Sequence, residues 1–586
     1  MAADDSTALT KAAIDNGNLL LAYDIAISAI SKGDSSVELR HLMVLALARM
    51  GNSDRAMELF HQYGLDSSPD PHHRSIAARI LKDAAFAISA PRERQEALLN
   101  AYRAYQVIFE ESGDTYPGIN AASLAFLGGK TDEAISIASA ILDLPEISAP
   151  DNYFDTATQA EALLITGQWD AAQESLNKAG AMPDANAGAK ASTNRQLELV
   201  TKQAGLSQDA IDKLLAPISP PSVIQFCGHI FLENTATEEK LKASINEFLD
   251  QYDVGYAYGA LAAGADILIA EAVLARGGEL NVIMPFAQDD FITQSITPAG
   301  GEWLSRFEAC MAAASSVTFA TEMHYVGDPE QFGYASKVAM GMAVLRAQYL
   351  GKSAQQLALW DGNGSAGAAG TGADVAVWSA YGGITHVIDA GEIDRNISRR
   401  ESHDEDLYKR TVAAILFTDF PGFSKLTEAA LPDFWNGIMG NMAKVLDKYP
   451  GKILAQNSWG DALLAVTPDA TSAASLALEI QASLRDFDYE LLGMEESLGM
   501  RIGVHYGPAY ETPDPITRKT TFYGTEVSRA ARIEPVTPPG AIFVTEPFAA
   551  ILALEAADQY QCRYAGNIEF AKGYGTYPIY QLTYRD

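Results

Sequence analysis

The sequence predicts three architectures in succession: an all-α region of helical repeats, a parallel α/β domain and an α+β domain. Three observations predict them. Up to about residue 215, apolar residues recur at helical spacing in an Ala-, Leu- and Glu-rich background. Pro217, Pro220 and Pro221 then mark a change to the order strand, Gly-rich turn, helix, strand. From Thr411 the order becomes strand, helix, strand, strand. The length of 586 residues accommodates three or four domains at about 150 residues each.

Within residues 1–215 the pattern repeats. Leu39 to Gly51 reads as a helix, and a second helix starts after Asn52 and Ser53, the predicted cap. Ala121–Gly129 is followed by Thr131-Asp-Glu-Ala134, and Thr156–Gly167 by Trp169-Asp-Ala-Ala172. Each unit is a small-residue helix ending in Gly, then a helix opening on an acidic residue. Such pairs bury a continuous face only by stacking. The units resemble tetratricopeptide repeats, and Tyr116-Pro-Gly-Ile-Asn-Ala-Ala122 resembles the repeat region found beside bacterial signalling domains. The expected role is a scaffold, with a protein partner in the groove as the sharper reading.

Charge excludes some functions. The chain carries 75 acidic and 42 basic residues, a formal net charge of −33. Such a surface repels phosphate backbones and anionic membranes, so neither nucleic acid nor membrane is an expected partner. A nucleotide substrate stays open, because divalent ions bridge carboxylates to phosphates. Cys227, Cys310 and Cys562 share no metal-like spacing. No stretch is apolar enough to span a bilayer and the N-terminus lacks a signal pattern, so the expected location is the cytoplasm.

Residues 222–390 read as the α/β domain. Val223–Gly228, Leu280–Pro285 and Ser316–Ala320 are predicted strands, and Gly259 and Gly264 flank a turn feeding the helix Ile267–Ala275. A helix N-terminus after such a turn offers free N–H groups to an anion. Asp266 and Glu271 read either as polar handles or as solvated positions, and Gly362–Gly372 as a flexible loop. Gly264-Ala-Asp-Ile-Leu-Ile-Ala-Glu-Ala272 with Met284-Pro-Phe286 resembles SLOG-type Rossmannoid domains. That resemblance implies a small nucleotide-derived ligand at 222–390. The charged stretch 391–410 reads as a linker.

Residues 411–586 carry the chemistry. Val412–Phe420 is a buried strand with a carboxylate, Asp419, near its end. Pro432–Lys448 is helical, and Ile453–Val466 is a hairpin with Gly460-Asp461 at its tip. Alone, each aspartate reads as a turn residue; together, a hairpin beside the first strand can pair them around divalent ions that clamp a triphosphate.

Five segments resemble the class III nucleotidyl cyclase catalytic domain, in that family's order: Phe417-Thr-Asp-Phe-Pro-Gly-Phe-Ser424, Trp459-Gly-Asp-Ala-Leu-Leu464, Met500-Arg-Ile-Gly-Val-His-Tyr-Gly-Pro508, Tyr523-Gly-Thr-Glu-Val-Ser-Arg-Ala-Ala-Arg-Ile533 and Ala571-Lys-Gly-Tyr-Gly575. The resemblance implies a ferredoxin-like α+β fold. It also implies that a ribose 3′-hydroxyl attacks the α-phosphorus of a nucleoside triphosphate and that pyrophosphate leaves, with two Mg²⁺ or Mn²⁺ ions per site. It makes Asp419, Asp461 and the backbone carbonyl of Phe420 metal ligands. Arg532 becomes the transition-state arginine and Lys572 a phosphate-binding residue. Because the family shares each site between two chains, the resemblance implies a homodimer.

Two departures stand out. Asn457 occupies the base-reading position that is Lys in adenylate and Glu in guanylate cyclases, with Thr521 as its companion. Thr521 tilts the reading toward ATP; Asn457 leaves UTP, CTP and GTP open. Ser528 replaces the family's transition-state Asn, and Arg529 beside it reads either as compensation or as a surface charge. The expected activity is that of a phosphorus–oxygen lyase making cAMP, controlled by the N-terminal regions. The alternatives are a pyrimidine cyclase of anti-phage signalling and a catalytically weak nucleotide-binding scaffold.

Overall fold

A computed structural model describes residues 3–585 except 89, 364–368, 392, 396–409, 486 and 495–498. Most of the predicted linker therefore lies outside the described residues. The chain forms two compact units. One runs through Pro220, and the other comprises Pro221–Gln348 and Lys352–Arg585.

The first unit is all helical. The helix pairs include Val37–Arg49 with Ser53–Gln62, Thr115–Leu127 with Thr131–Leu142, and Tyr153–Ile165 with Trp169–Gly180. Gly51, Gly129 and Gly167 close the first helix of each pair at positive φ, where other residues are strained. Asp54, Asp132 and Asp170 open the second helices, where acidic groups oppose the helix dipole. Asn52 takes its N-cap position but makes no side-chain cap bond, unlike the sequence expectation. Small buried residues such as Ala121, Ala125, Ala138, Ala160 and Ala172 let the helices approach closely in one core.

The second unit contains two sheets. The first is wholly parallel, in the order β4-β3-β2-β1-β5-β6. Its strands are β1 (Ser222–Gly228), β2 (Val254–Gly259), β3 (Glu279–Met284), β4 (Ser316–Phe319), β5 (Gln355–Trp360) and β6 (Thr385–Asp389). The sequence reading found β1, β3 and β4 but not the others. In β2 tyrosines interrupt the apolar run, and β6 is a half-exposed edge strand. The Gly362–Gly372 stretch lies partly outside the described residues, and its last two residues open the helix Thr371–Ala380.

The second sheet has eight strands: β7 (Arg410–Asp419), β8 (Ala455–Trp459), β9 (Ala462–Thr467), β10 (Arg501–Pro513), β11 (Thr520–Tyr523), β12 (Ile542–Thr545), β13 (Tyr560–Glu569) and β14 (Thr576–Tyr584). Their order is β13-β14-β12-β10-β7-β9-β8, with β11 on β10. β7 is central, antiparallel to both β10 and β9, which explains its apolar run Ala413–Leu416. Residues 431–446 form one continuous helix with a π-helical turn at Trp435–Met439. Among the described residues, no helix is long and apolar enough to cross a membrane.

Candidate active site

The site begins where β7 leaves the sheet. Asp419 is the last residue of β7 and pairs in register with Arg501, the first residue of β10. Asp461 follows Gly460 in the tight turn joining β8 to β9, and Gly460 supplies the positive φ that the turn needs. Because β9 is hydrogen-bonded to β7, the hairpin tip comes beside the strand end. The two carboxylates are close enough to share a hydrogen bond. Burial, the Asp461 charge and that hydrogen bond push Asp419 up to about 6, against the pull of Arg501.

The Phe420 ring is buried against Phe434 and Tyr489, which pins the backbone just past Asp419. Its carbonyl accepts the Phe423 N–H at 3.3 Å and keeps a second lone pair. Two adjacent carboxylates and a carbonyl are hard oxygen donors that suit Mg²⁺ or Mn²⁺. Among the described residues, no group of three His, Cys, Asp or Glu side chains forms a closed metal cluster. Asp419, Asp461 and the Phe420 carbonyl are fewer donors than the roughly six oxygens that Mg²⁺ takes, so an ion there would draw its other ligands from water or phosphate.

The helix Thr525–Ile533 follows β11 after Gly524. Ser528 and Arg532 are one turn apart on its outer face; Ser528 is exposed and Arg532 half-buried. Among the described residues, no ion pair or hydrogen bond ties Arg532 to Asp419 or Asp461. Asn457 is exposed on β8, its Oδ1 accepting the Ser458 N–H at 3.0 Å. Thr521 is on β11, which lies against β8. Lys572 is exposed in the β13–β14 connection at φ 66°. The structure therefore brings Asp419 and Asp461 together; among the described residues, no hydrogen bond or ion pair links Arg532, Ser528 or Lys572 to either.

Arg529 is neither a surface charge nor available to stand in for Asn. It is 5% exposed, pairs with Glu526 at 3.3 Å and Glu322 at 3.5 Å, and covers the Tyr577 ring. Glu526 also accepts from, or shares a proton with, His505 Nε2 at 2.7 Å, while His505 Nδ1 meets Thr545 Oγ1 at 2.8 Å. This buried chain fastens the Thr525–Ile533 helix to β10. His505 stands in a quoted motif, but its partner lies in another. Glu534 was also missed, although it directly follows the Tyr523–Ile533 motif. Burial and the charges of Asp419 and Asp461 push it up to about 7, with Arg501 opposing.

The β7-centred sheet with paired carboxylates at one end agrees with the class III nucleotide cyclase domain that the five segments resemble. Residues 407–584 match the family described as Adenylate and Guanylate cyclase catalytic domain, and residues 21–125 match Tetratricopeptide Repeats-Sensor. The C-terminal region thus belongs to the cyclase catalytic-domain family and the N-terminal region to the repeat-sensor family. An adenylate cyclase of Podospora anserina is 28% identical over 155 residues, 23% of this chain and 7% of that protein. An adenylate cyclase of Neurospora crassa is 30% identical over 105 residues, 15% of this chain and 5% of that protein. The chain therefore spans under a tenth of either curated relative. Among solved structures, the adenylyl cyclase CyaB from P. aeruginosa is 24% identical, with 30% of this chain and 95% of that chain covered and a TM-score of 0.26.

Proposed function

We propose that the chain is a metal-dependent nucleotidyl cyclase converting a nucleoside triphosphate, with ATP favoured, to its 3′,5′-cyclic monophosphate and pyrophosphate. The observation that carries this reading is the Asp419–Asp461 pair at the end of β7 and the tip of the β8–β9 hairpin. Asp419, Asp461 and the Phe420 carbonyl would hold Mg²⁺ or Mn²⁺. When bound, the ions supply charge neutralisation and a more acidic ribose hydroxyl. Arg532 holds the charge that develops on the α-phosphate, and Ser528 orients the ribose. Asn457 and Thr521 read the base edge, and Lys572 holds the outer phosphates.

Among the described residues, neither Arg532 nor Ser528 hydrogen-bonds or ion-pairs with the Asp419 and Asp461 carboxylates of its own chain. A homodimer of two-fold symmetry would bring them to the partner's carboxylates and make two equivalent sites. The repeat unit and the parallel-sheet region would regulate that assembly, the repeats through a protein partner.

Asn457 favours a second reading, a pyrimidine cyclase, because its amide both donates and accepts. Ser528 favours a third, a nucleotide-binding scaffold with weak turnover. The test is incubation of the purified chain with Mn²⁺ and ATP, GTP, UTP or CTP separately, with products identified by mass spectrometry. One cyclic monophosphate, absent with Asp461→Ala, supports the cyclase and names the base. No product from an intact dimer overturns turnover and favours the scaffold.

A further inference from the structure

In the parallel sheet, β1 lies between β2 and β5, and the chain winds outward from β1 in opposite directions. At such a reversal the carboxyl ends of the strands splay and leave a crevice that suits a ligand. Here the crevice is a cavity of about 560 Å³. The helices Ala265–Ala275 and Thr371–Ala380 begin at its wall. Their N-cap residues, Gly264 and Gly370, have positive φ and provide no side-chain cap. The Ala265 N–H already donates to the His229 carbonyl at 3.1 Å, so it is the Thr371–Ala380 start that suits an anion.

The same wall holds two buried carboxylates. Asp374 is 8% exposed. Asp266 is 7% exposed, and its Oδ1 has no hydrogen-bond partner among the described residues. Asp266 is thus no solvated helix position, whereas Glu271 is bound to Arg306 at 2.7 Å. A buried oxygen without a donor is costly unless something fills the cavity and donates to it.

The helix Glu330–Tyr349 connects this cavity to the cyclase domain. Phe332, Ala335, Ser336 and Ala339 line the cavity at one-face spacing, and Ser336 hydrogen-bonds Asp374. From the other face, Tyr334 Oη donates to the Tyr506 carbonyl of β10 at 2.7 Å. Gly341 lies so close to the Ala550 carbonyl that a Cβ would collide. Just before the helix, Asp328 pairs at 3.0 Å with Arg410, the first residue of β7, whose other end is Asp419. Glu322 reaches Arg529 on the helix that carries Arg532.

We propose that this cavity binds a small molecule combining an anionic group with hydroxyl or amino donors, and that helix Glu330–Tyr349 transmits its occupancy to β7, β10 and the Thr525–Ile533 helix. The anion sits at the Thr371–Ala380 helix start, and the donors meet Asp266 and Asp374. Binding stands independently of the cyclase reading; only its effect on turnover rests on that reading.

The test uses the full chain and three probes: 5′-AMP, ribose 5-phosphate and gluconate. Calorimetry measures binding, hydrogen exchange follows residues 525–533, and turnover is measured with Mn²⁺-ATP. A probe should bind, lose at least about tenfold in affinity with Asp266→Asn, and change exchange at 525–533. Phosphate probes alone binding assigns a phosphate ligand; gluconate binding assigns a carboxylate. Tyr334→Phe should retain binding but shrink both the exchange change and an expected turnover response of about fivefold. Binding by none of the probes, or binding indifferent to Asp266→Asn, overturns the site. Binding without a change at 525–533, or a change that Tyr334→Phe leaves intact, overturns the transmission. Absent turnover counts against the cyclase reading alone, because binding and exchange are read without it.

Discussion

Asp419 at a strand end and Asp461 at a hairpin tip lie so close that the Asp461 charge helps to hold Asp419 above the usual carboxylate range. Two acids placed together without a cation are poorly matched, which is the arrangement a divalent ion relieves.

Asp461→Asn should remove a direct ion ligand while keeping the turn. Loss of outer-shell partners of metal ligands costs about 10–100-fold, so turnover should fall by at least about 100-fold. The metal-free variant should melt no lower than the parent, because a repelling neighbour is gone. Thermal melts with and without Mn²⁺ check this, and a metal-induced rise that survives the substitution would contradict it.

Ser528→Asn should raise kcat by about 10–100-fold with little change in KM. A transition-state donor is worth at least that much, since removing one costs about 100–1,000-fold in kcat, and the exposed position accommodates the longer amide. Steady-state kinetics on the preferred triphosphate measure it.

Asn457→Lys should shift preference toward ATP by about tenfold in kcat/KM relative to UTP, because Lys donates to the adenine ring and cannot accept from uracil N3–H. An unchanged ATP-to-UTP ratio would remove Asn457 from base reading.

His505→Ala should destabilise the folded chain by roughly 1–3 kcal/mol, because it removes a buried hydrogen bond from Glu526 while Arg529 still pairs it. Urea denaturation reads the loss. Activity should fall too, since the same contact fastens the helix bearing Arg532.

Asp374→Asn should change the pH dependence of stability. Burial pushes Asp374 up to about 7 from 3.8, with Ser336 pulling the other way and Asp266 and Cys227 alongside. A folded-state pKa above the unfolded value means that the folded chain holds the extra proton. Stability from this group is therefore full below about pH 4 and is lost as pH rises to about 7. The variant should gain on the order of a few kcal/mol at pH 8 and little at pH 4. Melting curves across that range should show a flatter slope for the variant.

Sequence alone determined what depends on local order. Gly closing one helix and an acidic residue opening the next are legible, because both act within a turn. So are Asp419 at the end of an apolar strand and Asp461 after Gly460, since strand and hairpin are each contiguous. The five cyclase-like segments and their order are legible too, because each segment is contiguous. Tertiary structure decided what depends on distant pairing. β1 became central only through hydrogen bonds to β2 and β5, far apart in the chain, and the cavity exists because of that order. In the sequence Arg529 reads either as compensation for Ser528 or as a surface charge; Glu322, from the parallel-sheet region, and Tyr577 enclose it in the fold. Burial is a property of the packed neighbours, so the same side chain reads as solvated in the sequence and as a buried ion pair in the fold.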